Sequence, residues 1–189
     1  LALGAVLAGT AAWALAFLSI YTRPHSTVTA SEWVHAHLPD GTRLLSQDWD
    51  EGFPFSLPGG RNAERYRIVT FPFYEPDSRE KTANLARELA AADYVTLQTK
   101  RIYGAVTRAP DKFPDTNRFF RLLFAGDLGY TLAREFASRP RLLGLELPTE
   151  RADESISVYD HPKVLIFRNA RRLPAPELDE KLRTGMPSR

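Results

Sequence analysis

Residues 30–55, ASEWVHAHLPDGTRLLSQDWDEGFPF, lay out a helix, a tight turn, a buried strand and an acidic, aromatic loop in that order. Thr29-Ala30-Ser31-Glu32 has capping-box spacing, in which a hydroxyl and a carboxylate satisfy backbone donors left open at a helix start. Pro39-Asp40-Gly41 joins a fixed φ to a residue free to take positive φ, the chemistry of a turn. Residues 42–47 are few and carry Leu44-Leu45 at their centre, which predicts a buried strand. Open α/β sheets place ligands at loops that follow the carboxyl ends of strands. The loop Asp48-Trp49-Asp50-Glu51-Gly52 is therefore the first candidate for a site.

Working outward, residues 66–71 (YRIVTF) predict a second strand closed by Pro72. Asp77-Ser78-Arg79-Glu80 repeats the capping spacing and opens a helix to about Ala92. Its Leu85 and Leu89 face inward, and Arg79, Lys81, Arg87 and Glu88 face outward. Residues 94–99 (YVTLQT) alternate and are rich in β-formers, a third strand. Strand, helix, strand predicts a parallel pair with a right-handed crossover. Residues 102–114 read as irregular, followed by a short helix capped by Thr116 and stopped by Gly126. Residues 130–137 predict a strand, residues 142–147 a weaker one, and KVLIF at 163–167 a buried one after the Asp160-His161-Pro162 break. The charged, proline-containing residues 169–189 predict a disordered tail. The fold class is α/β, with a Rossmann-like, mainly parallel sheet and flanking helices over residues 22–168.

Toward the start of the chain, residues 1–21 (LALGAVLAGTAAWALAFLSIY) contain no charge. At about 1.5 Å per residue this length covers a hydrocarbon core of about 30 Å, which predicts a transmembrane helix. It has no basic leading segment and no small-residue cleavage site, against a signal peptide. The first residue is Leu1 rather than Met, so a fragment or processed product is expected, with this helix as the last span of a polytopic protein. Arg23 follows at once, leaving no linker to carry the domain away from the bilayer.

The 189 residues carry a formal net charge of +2, which speaks against a nucleic-acid partner. With no cysteine, disulfides and thiolate metal sites are excluded. Asp48, Asp50 and Glu51 admit three readings: a Mg²⁺ or Mn²⁺ site of hard oxygen ligands, recognition of a polar acceptor with Trp49 as an apolar wall, or a solvated turn with Trp49 packed inward. His35 and His37 stand i, i+2 on a helix and do not face each other. His161 reads as a turn histidine bonded to the local backbone. Lys100-Arg101, after the third strand, read either as a phosphate or lipid-headgroup contact or as a solvated pair. No nucleotide, hydrolase or metalloprotease motif is present, and no catalytic residue is assigned.

A hydrophobic span followed by ASEWVHAHLPDG, a strand and DWDEG resembles the start of the extracytoplasmic C-terminal domain of GT-C membrane glycosyltransferases. In the oligosaccharyltransferase catalytic subunit the loop reads W-W-D-Y-G, so Trp49, Asp50 and Gly52 match, while Asp48 and Glu51 depart. Residues 90–97 (AAADYVTL), 101–114 (RIYGAVTRAPDKFP), 122–130 (LLFAGDLGY) and 157–167 (SVYDHPKVLIF) resemble dolichyl-phosphate-mannose mannosyltransferase-like and DUF2298-like membrane proteins. The resemblance implies an enzyme of the cytoplasmic membrane that takes a sugar from a polyprenyl phosphate on the extracytoplasmic side. Its catalytic carboxylate would lie in the first extracytoplasmic loop of an N-terminal transmembrane bundle outside this chain. The partners implied are that bundle, the lipid bilayer and the polyprenyl-phosphate sugar. Mg²⁺ or Mn²⁺ would belong to the longer enzyme, and no cofactor to this chain. Two other readings are a non-catalytic extracytoplasmic binding or assembly domain and a metal-dependent D-x-D sugar transferase.

Overall fold

Adjacent residues of a strand point to opposite faces, and in this protein Leu44 and Leu45 are both fully buried, so the sheet is covered on both sides. The computed structural model describes residues 2–149 and 152–183, the side chain of Ile156 apart. In chain order the elements are α1 (Ala2–Leu18), α2 (Ser26–His37), β1 (Arg43–Gln47), β2 (Arg67–Phe71), α3 (Arg79–Ala91), β3 (Tyr94–Leu97), α4 (Arg101–Val106), α5 (Pro114–Ala125), β4 (Tyr130–Phe136), the two-residue strands β5 (Arg141–Leu142) and β6 (Leu145–Glu146), β7 (Val164–Asn169) and α6 (Ala175–Arg183).

The main sheet has the order β2-β1-β3-β7-β4. Leu44, Val164 and Ile166 pack with Ala30 and Val34 of α2 and with Leu38 just after it. Leu45, Val95, Leu165 and Phe167 pack with α3, α5 and α6 through Leu89, Phe119, Phe120, Leu123 and Leu178. The apolar runs LL and VLIF are continuous because both faces of these strands are covered.

The sheet is mixed, with four of its five strands pointing the same way and β7 alone opposed. β1 pairs in parallel with β2 and with β3, but β7 runs antiparallel to both β3 and β4. The strands joined by α3 are not neighbours, since β1 lies between them and takes a hydrogen-bonded partner on each edge. A one-residue register shift at Ala133 bulges β4, an edge strand whose residues are mostly exposed.

Several local expectations change for identifiable reasons. α2 starts at Ser26, ahead of the Thr29 capping spacing, because His25 is the N-cap and its Nδ1 accepts the Thr27 amide at 3.3 Å. Ser78 rather than Asp77 caps α3, accepting the Lys81 amide at 3.1 Å. Residues 101–106 are helical, since burial of Ile102 and Val106 holds one face of α4 down. α5 opens on Pro114, with Phe113 as its N-cap in place of Thr116, and ends at Gly126 in the left-handed region. The expected tail contains α6, whose Leu178 and Leu182 are buried against α3. An amphipathic stripe recovers enough apolar contact to order a charged sequence. Residues 184–189 of that tail lie outside the described residues.

Asp77 reaches the start of α5 instead. Its Oδ2 accepts the amides of Asp115 at 2.7 Å and Thr116 at 3.0 Å, and its Oδ1 accepts the Thr116 hydroxyl and Lys81 Nζ at 3.0 Å. Lys81, expected outside, is thereby drawn in, and also donates to Phe73 O at 2.9 Å. Burial alone would raise the Asp77 carboxyl, but the bonds from Thr116 and Lys81 outweigh it and hold it below its ordinary range.

α1 is the exception to the packing. Within it only Ala16 is buried, while Leu3, Val6, Leu7, Leu15 and Leu18 are all more than half exposed. It is long and apolar enough to cross a membrane.

Two stability predictions follow from the packing. Replacing Leu182 by Ala should lower unfolding free energy by about 2–3 kcal/mol in urea titration, as for a core leucine; an unchanged midpoint would mean α6 adds nothing. Because the Asp77 pKa is depressed on folding, its contribution is present above the unfolded carboxylate pKa of about 4 and is lost as pH falls through the lower folded value. Asp77→Asn should cost about 3 kcal/mol at pH 7 and flatten the decline of stability below about pH 4.

Candidate functional site

The loops leaving the carboxyl ends of β1 and β3 line one cleft of about 320 Å³, closed by the start of α2 and by the segment ahead of β7. With strands in the order β2-β1-β3, one loop departs toward β2 and the other away from it. Such a topological switch point is where open α/β sheets bind ligands. Trp49, Asp50 and Glu51 come from the first loop, and Gln98, Thr99 and Arg101 from the second.

Arg101 ties the two loops together. Its Nη1 donates to Trp49 O at 2.7 Å and lies 3.7 Å from Asp50 Oδ1. Its Nε donates to Glu154 Oε1 at 3.3 Å, and its guanidinium sits over the Tyr159 ring, 5.1 Å from the centroid. A planar guanidinium can hold several acceptors and an aromatic face at once, which an ammonium cannot. Asp50, with its side chain only 7% exposed, accepts the Thr99 hydroxyl at 3.0 Å and the Gln47 amide.

Trp49 stands at φ 70, in the left-handed region, and is 67% exposed, with its ring 5.0 Å from that of Tyr74. A bulky residue there costs about 1–2 kcal/mol. Anchored neighbours hold it: Asp48 on one side, Asp50 on the other, Arg101 on its carbonyl. The reading in which Trp49 packs inward is overturned.

The five loop candidates therefore separate. Trp49 and Asp50 face the cleft. Asp48 turns away to accept the Phe73 amide at 3.2 Å, and burial raises its carboxyl while that bond lowers it. Glu51 has an exposed side chain, and its carbonyl accepts Gln98 Nε2 at 2.9 Å. At Gly52 a Cβ would meet nothing within 4 Å, so this glycine is not required by the local geometry. Lys100 and Arg101 also part company: Lys100 Nζ donates to Ala152 O at 2.6 Å and lines a different cleft with His161 and Lys163.

His35 Nε2 bonds Phe55 O at 2.8 Å, and His37 stacks on Trp33 at 4.9 Å. His161 bonds the Thr149 hydroxyl at 2.9 Å rather than local backbone, and burial lowers its pKa, keeping it neutral at pH 7. No set of three or more His, Asp or Glu converges to hold a metal among the described residues. Asp48 and Asp50 are turned to different partners, so the D-x-D does not fit a shared cation and no step is assigned to one.

Buried polar residues the sequence did not single out lie on the strands that carry the cleft's loops, and of these Gln98 lines the cleft itself. Ser46 and Thr96 pair in register on the α2-facing side of the sheet, and Gln98 continues the same alternation. All three are at most 3% exposed, and Ser46 Oγ, Thr96 Oγ1 and Gln98 Oε1 have no hydrogen-bond partner among the described residues. Each such group costs about 1–3 kcal/mol. The visible signal was SQ at 46–47 and TLQT at 96–99, polar residues where strand ends between two helical layers would otherwise be apolar.

The arrangement offers an aromatic surface, a carboxylate and amide oxygens to a polar, ring-containing ligand. Among the described residues that line the cleft, no two carboxylates converge as a general acid and base. No family model matches the chain, and comparisons with curated proteins and with solved structures return no match either.

Arg101→Ala should release the Trp49 loop. In a Trp13→Phe, Trp33→Phe background, Trp49 emission anisotropy should fall and acrylamide quenching should rise, with a stability loss of about 1–3 kcal/mol. Unchanged anisotropy would show that the loop holds its shape without the guanidinium.

Proposed function

We propose that this chain is a membrane-tethered α/β domain that binds a polyhydroxylated acceptor beside the bilayer, as the C-terminal, extracytoplasmic part of a GT-C-type glycosyltransferase. The observation that carries acceptor binding is Trp49, held exposed in a strained backbone conformation above buried polar groups. Strain of this kind persists only where surrounding contacts over-determine it, and it clusters at ligand clamps. A sugar ring lays its apolar C–H face on an indole, while its hydroxyls donate to carboxylate and amide oxygens. Asp50 and Gln98 supply such oxygens within the same cleft. Pockets that combine an apolar wall with a few placed polar groups are the usual form of small-molecule sites.

Proximity to α1 supports the bilayer-side placement. Tyr21 donates to Asp160 at 2.6 Å and His25 Nε2 meets Tyr159 O at 3.1 Å, so the wall of the cleft is tied to the residues that leave α1. In this reading α1 spans the cytoplasmic membrane and packs with the rest of the transmembrane bundle. The polyprenyl-phosphate sugar, the catalytic carboxylate and any Mg²⁺ or Mn²⁺ then belong to that bundle. The residues here orient the acceptor and cover the site.

A second reading is favoured by Asp50 itself, whose partners Thr99, Gln47 and Arg101 keep it an acceptor and unsuited to act as a base. On that reading the domain binds a glycan and transfers nothing.

Trp49→Ala and Asp50→Ala should each weaken binding of the acceptor glycan roughly tenfold, the equivalent of about 1.4 kcal/mol, the first with the thermal midpoint nearly unchanged and the second with a stability loss of about 1–3 kcal/mol from the donors it leaves unpaired. The assay is glycan titration of the purified protein together with transfer from a polyprenyl-phosphate sugar by the full-length protein. Binding without any transfer would select the second reading. Equal loss of folded protein would make the loop structural.

A further inference from the structure

The hairpin β5–β6 is built against the rules for a hairpin in water. Arg141 pairs with Glu146 and Leu142 with Leu145, leaving Leu143-Gly144 as the two-residue turn. Both turn residues have positive φ, 48 and 85. A turn with both central residues at positive φ selects Asn, Asp or Gly at the first position, yet a leucine stands there. Leu143 is 96% exposed and Leu145 is 72% exposed. The tip thus combines backbone strain with apolar exposure, and no packing among the described residues compensates either.

Its position identifies the occupant. β5 lies against α1 itself, and the Arg141 amide donates to Ser19 Oγ at 2.7 Å, directly after the last turn of α1. Arg23, the first charged residue after α1, donates to the carbonyl of Arg139 at the root of the same hairpin. The hairpin that carries the tip leucines is therefore held beside α1, with Arg23, Arg139 and Arg141 around its base, and Glu146 pairs with the last two. Leucines flanked by arginines are the composition of an interfacial anchor, in which apolar groups enter the acyl boundary and cations stay at the headgroups.

We propose that the β5–β6 hairpin is a second membrane contact, with Leu143 and Leu145 seated in the lipid leaflet beside α1. This rests on the reading of α1 as a membrane span and goes beyond it. A second contact beside the span would hold the Trp49 cleft at one height above the bilayer.

The chain has no cysteine, so single thiols can be placed and labelled with an environment-sensitive fluorophore. Leu143→Cys, Val6→Cys in α1 and Arg87→Cys on exposed α3 would be compared in the full chain, reconstituted in phosphatidylcholine–phosphatidylglycerol vesicles. The label at 143 should emit to the blue of the label at 87. Lipids brominated near the headgroup should quench it more than lipids brominated deep in the chain, as for a depth of about 5–10 Å. A label at 143 that behaves like the label at 87, while the label at 6 is quenched, overturns the hairpin contact and leaves the span intact. A label at 6 that no lipid quenches removes the span and the inference with it. A blue-shifted label at 143 that lipid does not quench places a protein surface over the tip and also overturns the proposal.

Discussion

The two-sided burial of β1 governs this molecule. Leu44 and Leu45, each contributing on the order of 1.5–3 kcal/mol when removed from water, demand a helical layer on either face. A strand in that position leaves no backbone group to solvent and so takes a ladder on both edges, β2 on one and β3 on the other. Parallel partners on both edges bring the carboxyl ends of β1 and β3 together while sending their loops apart. The cleft is a consequence of that geometry, present before any particular side chain is considered.

What lies in the cleft and on the strands that lead to it works against stability. Trp49 is held in a left-handed conformation, and buried oxygens of Ser46, Thr96 and Gln98 lack partners among the described residues. Natural proteins keep such costs where binding needs them and offset them elsewhere. Here the offset lies on the other side of the sheet, where Asp77, Lys81 and Thr116 join α3 to α5 and the phenylalanines Phe73, Phe119 and Phe120 pack ring against ring. A rigid half therefore supports a strained one. Arg101 is the connector, because its single side chain meets both loops, Glu154 and the ring of Tyr159.

α1 stands outside this economy of burial. Most of its apolar surface has no cover among the described residues, and the contacts at its base run through Phe17, Ser19, Tyr21 and Arg23 to His161, the hairpin and Asp160. These fasteners sit where the helix gives way to the domain, so the orientation of the cleft is coupled to that of the helix.

The sequence by itself determined most of the elements. Short apolar runs marked β1, β2 and β7, leucine spacing marked α3, glycine at 126 ended α5, and an uncharged stretch marked α1, because each depends on neighbours a few positions away. It also pointed to the loop at 48–52. Only the tertiary structure decided that β7 would run antiparallel, that β1 would separate the strands joined by α3, and that residues 175–183 would fold, since these follow from which faces meet. It alone turned Trp49 out and Asp48 away, split Lys100 from Arg101, and added Gln98, Thr99 and Tyr159 to the site. Those residues are distant in the chain and become neighbours only through the pairing of β1 with β3, for which local spacing carries no signal.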